Sequence, residues 1–499
     1  MQQLSGLDAS FLYFETANAP MHIGGIAIYD PSTVPGLRGP LRFKTILKNI
    51  EGRLHLARSF REKIVPVPLS LDHPYWIEDP HFDLEYHVRH IALPKPGDWR
   101  QLCIQAARLH SRPLDLSRPL WEMYVIEGLD NVEGLPPGSF AVVTKIHHAA
   151  IDGVSGAEIT AVLHDLSPDP EPPPEPETPW VGEEDPSSWD LLARAAWNTP
   201  SHPFRFARLM TRTLPAVGRV ASQMWTRQLT IPAAPGISVP RTRFNGTVSP
   251  HRVIDGRVFE LAEVRAMKKA VAGATVNDVV LATVGGAMRR YLASNDELPE
   301  ESLVAMAPIS VRTEDEKGTQ GNRVTAMAVA LGTQVEDPLE RLRVVHEGAV
   351  QSKALTNAIG ARLMTDYTNF VPSSVAGLAA RLYSRFALAN RMRPMFNTVV
   401  TNVPGPQVPL YAYGARLVAQ YGMGPILDGM GLIHPVFSYC GKVTIAVTSC
   451  RALMPDPAFY ADCLQASFEE LRAASGVTEV RAAAKPRAKA ATASPAHAS

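Results

Sequence analysis

The chain has 499 residues, beyond the size at which one hydrophobic core keeps growing, so two domains are expected. Apolar residues make up 45%, enough for ordinary globular cores, and 49 basic side chains cancel 49 acidic ones, which removes any global electrostatic case for nucleic acid. Four cysteines with no Cys-x-x-Cys pair and no framework spacing fit a reducing cytosol rather than a disulfide scaffold.

The N-terminus lacks a basic segment followed by an apolar core, so no signal peptide is expected. No apolar run is long enough to span a bilayer, so any membrane contact should be peripheral. To about Leu166 the chain alternates strand-like and helix-like runs. Ile23 to Tyr29 and Phe140 to Ile146 read as strands and Gln101 to His110 as a helix, which predicts α/β layers.

The run Lys145-Ile146-His147-His148-Ala149-Ala150-Ile151-Asp152-Gly153 follows the second of these strands. Val154 to Leu166 then returns to helical spacing. A histidine where a strand ends is well placed for chemistry, and imidazole is the side chain best suited to take a proton near neutral pH. Two other readings stand beside this one. The pair can be polar residues before an ordinary Asp-Gly turn. His-His-x-x-x-Asp also supplies metal-ligand types, although zinc signatures have other spacings and adjacent histidines on a strand point to opposite faces.

Ser167 to Asp185 is rich in Pro and Glu and reads as an extended, exposed linker. In Trp189 to Leu229 the ionic side chains are almost all Arg, from Arg194 to Arg227, interleaved with large apolar residues such as Trp189, Trp197 and Trp225. That composition suits an interfacial helix on anionic lipid and equally a buried crossover with its arginines exposed, in short pieces because Pro200, Pro203 and Pro215 interrupt it. Thr275-Val276-Asn277-Asp278 predicts a helix start, with Thr275 as cap and Asp278 at the third helical position, so Asn277 and Asp278 are open to a reading as capping chemistry alone. Thr398 to Thr401 and Val443 to Thr448 read as strands, the tail from Arg481 as disordered, and no repeat of solenoid period is present.

Six ordered blocks join the His-His motif. They are Leu4-Ser5-Gly6-Leu7-Asp8-Ala9-Ser10-Phe11, Arg118-Pro119-Leu120-Trp121-Glu122, Asn277-Asp278-Val279-Val280-Leu281-Ala282, Ala307-Pro308-Ile309-Ser310-Val311-Arg312, Gly321-Asn322-Arg323 and Thr401-Asn402-Val403-Pro404-Gly405-Pro406. From about Leu4 to Ala474 the chain resembles the bacterial wax ester synthase/diacylglycerol acyltransferase family, within the CoA-dependent acyltransferases. The resemblance implies an α/β fold of two chloramphenicol-acetyltransferase-like domains with the active-site tunnel between them. The expected division is 1–166 and 241–475 for the domains, 167–240 for the linker and crossover, and 476–499 for the tail.

The resemblance also implies roles. Acyl-CoA is the co-substrate, with no permanently bound cofactor and no metal, and the acceptor is the hydroxyl of diacylglycerol or a long-chain alcohol. His148 is the general base and His147 orients or packs. Asp152 is a structural anchor paired with an arginine rather than a third triad member, and Gly153 serves the turn. Asn277 is the candidate contributor to the oxyanion site on its own residues, because the Asn-Asp motif begins a helix of the second half and a helix N-terminus favours negative charge, with Asp278 as cap or partner to a cation. Pro119 and Trp121 pack beneath the site, and Asn402, Pro404 and Gly405 shape a loop on the CoA side. The expected location is cytoplasmic, at the inner membrane face or lipid droplets. Cys440 departs from the family, which often carries Asn there. Two rival functions stand beside this one: an acyltransferase for another lipid, carrier-bound or secondary-metabolite acceptor, and a non-catalytic lipid-body surface protein.

Overall fold

The computed structural model describes residues 1–37, 39, 41–151, 160–176, 180–198, 239–310, 324–359 and 382–478. Two six-stranded sheets carry the architecture, with a small sheet of Gln2–Gln3, Tyr75–Glu78 and Glu62–Val65 beside the first.

The N-terminal sheet runs in the spatial order Tyr411–Ala412, Ala415–Met423, His22–Asp30, Phe140–His147, Trp121–Glu127 and Val88–Ala92. Its neighbours are antiparallel except for the last pair, which is parallel. Alternation along these strands explains the two faces. Tyr29, Met123, Val125, Phe140 and Val142 bury into one apolar cluster, while Ile26, Ile28, Tyr124, Ile126, Ala141 and Val143 bury into another. The helix Trp99–His110 covers the second face, started by Asp98 and Gln101 in a capping box.

The C-terminal sheet runs Val324–Ala330, Val304–Ser310, Thr398–Pro404, Ile433–Tyr439, Lys442–Cys450 and Arg252–Glu260. Thr398–Pro404 is parallel to both of its neighbours and the other pairs are antiparallel. Helices Val276–Ala293 and Pro457–Ala474 pack on this sheet in the largest apolar cluster, which also takes in Leu342 and Val345 of helix Pro338–Ile359.

Two strands of the N-terminal sheet, Tyr411–Ala412 and Ala415–Met423, come from the second half of the chain. The longer pairs with His22–Asp30 from Arg416–Asp30 to Met423–Gly24, with a bulge between Leu417 and Ala419. Polar contacts also bind the halves: Trp99 Nε1 donates to Asp255 Oδ1 at 2.9 Å, and Arg252 Nη2 donates to the Asn18 carbonyl at 2.7 Å.

The Pro-rich stretch forms no helix or strand among its described residues, as its composition predicts, yet it is tied down beyond Trp180. The Glu183 amide donates to the Glu78 carbonyl, and Asp185 meets Lys63 at 3.0 Å. Of the Arg-rich segment the structure describes only the helix Ser188–Asn198, and the remainder lies outside the described residues.

Candidate active site

The Phe140–His147 strand ends at His147, and a short 3-10 turn, His148–Ala150, follows at once. His147 is completely buried and both of its ring nitrogens are engaged. Its Nδ1 accepts from the Ala149 amide at 3.0 Å, so the ring proton sits on Nε2, which faces Glu15 Oε2 at 2.8 Å. The backbone amide of His147 donates to the Leu120 carbonyl, and that of His148 to the Met21 carbonyl. Strand, cap and carboxylate together fix where the turn begins.

His148 is the half-buried member of the pair. Its ring lies on that of Phe11 with centroids 3.8 Å apart and planes 14° from parallel. Nδ1 is buried with no partner outside its own residue, and its own main-chain carbonyl is the group that favours a proton there. Among the described residues no hydrogen bond engages Nε2. Burial, followed in weight by that carbonyl's opposing effect and the neighbouring His147, pulls the His148 pKa down to about 4. Its imidazole is therefore neutral, with a lone pair free, across the whole range near pH 7.

One helix grips both histidines. Gly6–Phe14, capped by Ser5, carries Phe11, and Glu15 is the residue at its C-terminal cap. The sequence block from Leu4 to Phe11 marks this helix, but nothing in its spacing reveals that Glu15 would reach a histidine 132 positions away. Beneath the turn, Pro119, Leu120 and Trp121 are buried. Trp121 Nε1 donates to the Phe60 carbonyl at 3.0 Å, and its ring stacks on His87 at 4.6 Å. Next to it, Glu122 and Lys145 face one another in register and meet at 2.9 Å; burial lowers the Lys145 pKa.

The second group sits on the C-terminal half. Thr275 caps Val276–Ala293, and Asp278 completes the capping box by accepting from the Thr275 amide at 2.8 Å. The same carboxylate meets His346 Nδ1 at 2.9 Å, a partner on helix Pro338–Ile359 that the sequence motif does not announce. Asn277, one residue earlier and half-buried, receives a hydrogen bond on Oδ1 from Asn402 Nδ2 at 3.4 Å. Asn402 and Pro404, expected in a loop, lie instead within the Thr398–Pro404 strand, paired in parallel with Val436 and Ser438. Proline is tolerated there because it closes the strand. Gly405 follows at a close approach, since a Cβ at that position would lie 2.4 Å from the Ser438 carbonyl oxygen.

Asp152 and Gly153 lie outside the described residues. Among the described residues no hydrogen bond joins His148 to Asn277, and no cluster of three or more His, Cys, Asp or Glu converges on a common point.

A family model described as the wax ester synthase/diacylglycerol acyltransferase catalytic domain matches residues 4–280, and the corresponding C-terminal domain model matches residues 320–472. The chain belongs to the wax ester synthase/diacylglycerol acyltransferase family. A Mycobacterium tuberculosis protein named as a diacylglycerol O-acyltransferase is 35% identical over 94% of this chain and 90% of its own length. A second from that species, tgs2, is 31% identical over 94% of this chain and 98% of its own. Among solved structures, the wax ester synthase/diacylglycerol acyltransferase from Marinobacter aquaeolei aligns with a TM-score of 0.65 at 28% identity, covering 95% of this chain and 100% of that one. The first condensation domain of the calcium-dependent antibiotic synthetase shares the fold, with a TM-score of 0.53 at 13% identity over 95% and 96% of the two chains. The two-domain α/β architecture is thus that of the family.

The expectation of asparagine at Cys440 meets the Tyr439-Cys440-Gly441-Lys442 turn. Cys440 and Gly441 have φ of 44° and 79°, and Tyr439 pairs with Lys442. This is a two-residue hairpin of the type that favours Asn-Gly. An asparagine at this position would suit the turn geometry without any polar role in the site.

Proposed function

We propose that the protein is an acyl-CoA-dependent O-acyltransferase whose acceptor is the hydroxyl of diacylglycerol or of a long-chain alcohol, with His148 as general base. The observation that carries this reading is the division of labour between the two histidines. Both nitrogens of His147 are occupied, whereas His148 keeps Nε2 unengaged among the described residues and stays neutral down to about pH 4.

In this reading Nε2 of His148 takes the proton of the acceptor hydroxyl as its oxygen bonds to the thioester carbonyl carbon. The carbonyl electrons move onto oxygen. On collapse the C–S bond breaks and the imidazolium returns the proton to the departing thiolate, releasing CoA and ester. No bond to the protein forms, so no cysteine nucleophile is needed. Asn277 supplies an oxyanion donor: Asn402 holds its Oδ1, which leaves its NH2 to donate. The first turn of Val276–Ala293 adds favourable polarity for negative charge. Glu15 and His147 aim the turn that carries His148, Asp278 and His346 fix the start of the Asn277 helix, and Pro119 and Trp121 support the turn from below. The roles expected of Asp152 and Gly153 fall on residues outside the described ones. Acyl-CoA and acceptor enter a tunnel between the halves, the CoA side lying near Asn402, Pro404 and Gly405.

The acceptor and product are both lipids, which places the enzyme at a lipid surface. No described helix is long and apolar enough to cross a membrane, so the contact in this reading is peripheral.

The test is the purified His148→Ala protein, given acyl-CoA with diacylglycerol and hexadecanol in competition, with ester and free CoA both measured. A loss of roughly 10²–10⁴-fold with an unchanged melting curve is expected. Ester formation at the wild-type rate would overturn the assignment, and the product ratio in the wild type reads acceptor preference.

A further inference from the structure

The segment Pro66–Leu71 presents apolar side chains to solvent on a strained backbone. Leu69 and Ser70 are consecutive non-glycine residues in the left-handed region, with φ of 58° and 51°. That conformation is strained for residues that carry a Cβ. It leaves Leu69 84% exposed and Leu71 56% exposed. The base of the loop is held firmly. His73 bonds Tyr13 through its ring and Gln3 through its carbonyl, and the Leu4 amide donates to the Pro74 carbonyl.

The neighbouring helix Ser188–Asn198 packs against this loop through Leu191 and Ala195, which bury with Val67 and Tyr75. Its tryptophans point away: Trp189 is 81% exposed and Trp197 is 87% exposed. Alongside the loop runs a groove of about 490 Å³ lined by Leu12, Tyr13, Ile64, Val65, Val67 and Leu116. Ile64, Leu12 and Tyr13 also belong to the small cluster that buries Ala149, the residue after His148. The exposed face is therefore continuous, through one layer of side chains, with the turn that carries the base.

This face carries few ionisable groups, with a slight excess of acid. Pro66 to Leu71 contains no ionisable side chain, and the helix carries one Asp and one Arg. At the groove Lys63 meets Asp79 at 3.6 Å and Asp185 at 3.0 Å, and Asp72 also lines it, so one cation stands among three carboxylates. Exposed leucines at the tip of a braced loop, with tryptophans beside them, match the boundary between water and hydrocarbon. A slight excess of acid is repelled by an anionic surface, so the face matches an uncharged lipid surface better than an anionic one.

We propose that the Pro66–Leu71 loop and the Trp189/Trp197 face form the docking surface on which the enzyme sits on neutral lipid, with Leu69 and Leu71 inserted and the adjacent groove turned toward the lipid. The proposal rests on the acyltransferase reading for its biological purpose but not for its test.

The experiment uses the full chain and phosphatidylcholine vesicles containing diacylglycerol, compared with the double variant Leu69→Glu, Leu71→Glu. Both positions are exposed, so the variant should melt like the wild type. The wild type is expected to float with the vesicles, to the same extent at low and high salt, with a blue shift of its tryptophan emission. The variant should bind at least about tenfold more weakly, since each inserted leucine contributes through its buried area. Its rate on a short, water-soluble alcohol should be unchanged, while its apparent KM for vesicle-borne diacylglycerol rises. Equal flotation of variant and wild type overturns the proposal. So does wild-type binding only to anionic vesicles with loss in salt, or an oligomer that dissociates in the variant without any vesicle binding. If neither protein acylates any alcohol yet the flotation difference persists, the docking surface stands and the chemical reading falls.

Discussion

The ring of Phe11 covers the ring of His148 at 3.8 Å, in a near-parallel stack. A helix at the very start of the chain thus roofs a residue almost 140 positions later. The contact excludes water from one face of the imidazole, and burial is the largest cause of its lowered pKa.

Removing that roof should move the acid limb of activity. In the wild type His148 remains unprotonated down to about pH 4, so with His148 as the proposed base kcat/KM should change little between pH 8 and pH 5 on its account. In Phe11→Ala, water reaches the ring and the pKa climbs toward its ordinary value near 6.5. Activity at pH 5 should then fall several-fold relative to pH 8. A pH–rate profile superimposable on that of the wild type would show that the stack does not set the basicity of His148.

Glu15→Gln keeps an acceptor near His147 Nε2 but removes the charge, and Glu15→Ala removes both. Because Glu15 acts through His147 and the backbone of Ala149, the loss should appear in kcat rather than KM, on the order of tenfold for Ala with partial recovery for Gln. Steady-state kinetics of the two variants on one acceptor checks this. A change confined to KM would instead assign Glu15 to substrate binding.

Stability should fall as the solution is acidified from neutral. Burial holds His148 to about 4 and His110 and His434 to about 3, with His22, His87 and His164 also lowered. The unfolded chain takes up these protons near pH 6.5, whereas the folded one refuses them until each lowered value is reached. In that window the unfolded state binds more protons, so each histidine removes up to about 1.4 kcal/mol per pH unit. Urea midpoints should be level above pH 7 as far as these groups are concerned and decline steeply from pH 6.5 to 5. A midpoint unchanged over that interval would contradict the buried neutral state.

Cys440→Asn should stabilise the fold. Asparagine tolerates the left-handed conformation of that position better than cysteine does, which predicts a gain of roughly 0.5 kcal/mol. The gain should be visible as a raised urea midpoint with an unchanged slope. A lower midpoint would mean that packing of the half-buried thiol outweighs the turn.

Features set by short-range chemistry were legible in the sequence. The strand before the histidines, the helix Trp99–His110 and the Thr275–Asp278 capping box each depend on neighbours within a few positions. The expected strand stops at Thr401 and leaves Asn402 and Pro404 in a loop; only pairing with the parallel partner Ile433–Tyr439 carries the strand on to Pro404. Glu15 with His147, and His346 with Asp278, had no local signal at all: each pairing spans dozens of residues and depends on how separate elements are brought together. The same holds for Ala415–Met423. Nothing in its own residues says which sheet it will join.

That strand sets a timetable for biosynthesis. Synthesis delivers residues in order, and the edge of His22–Asp30 that Ala415–Met423 covers has no partner until most of the 499 residues have been made. The N-terminal half leaves the ribosome with an open strand edge, a state prone to pairing with the wrong chain. Expression of that half alone would make the exposure permanent, and slowing translation upstream of Ala415 would prolong it, so the yield of soluble protein is tied to how quickly the distant strand arrives.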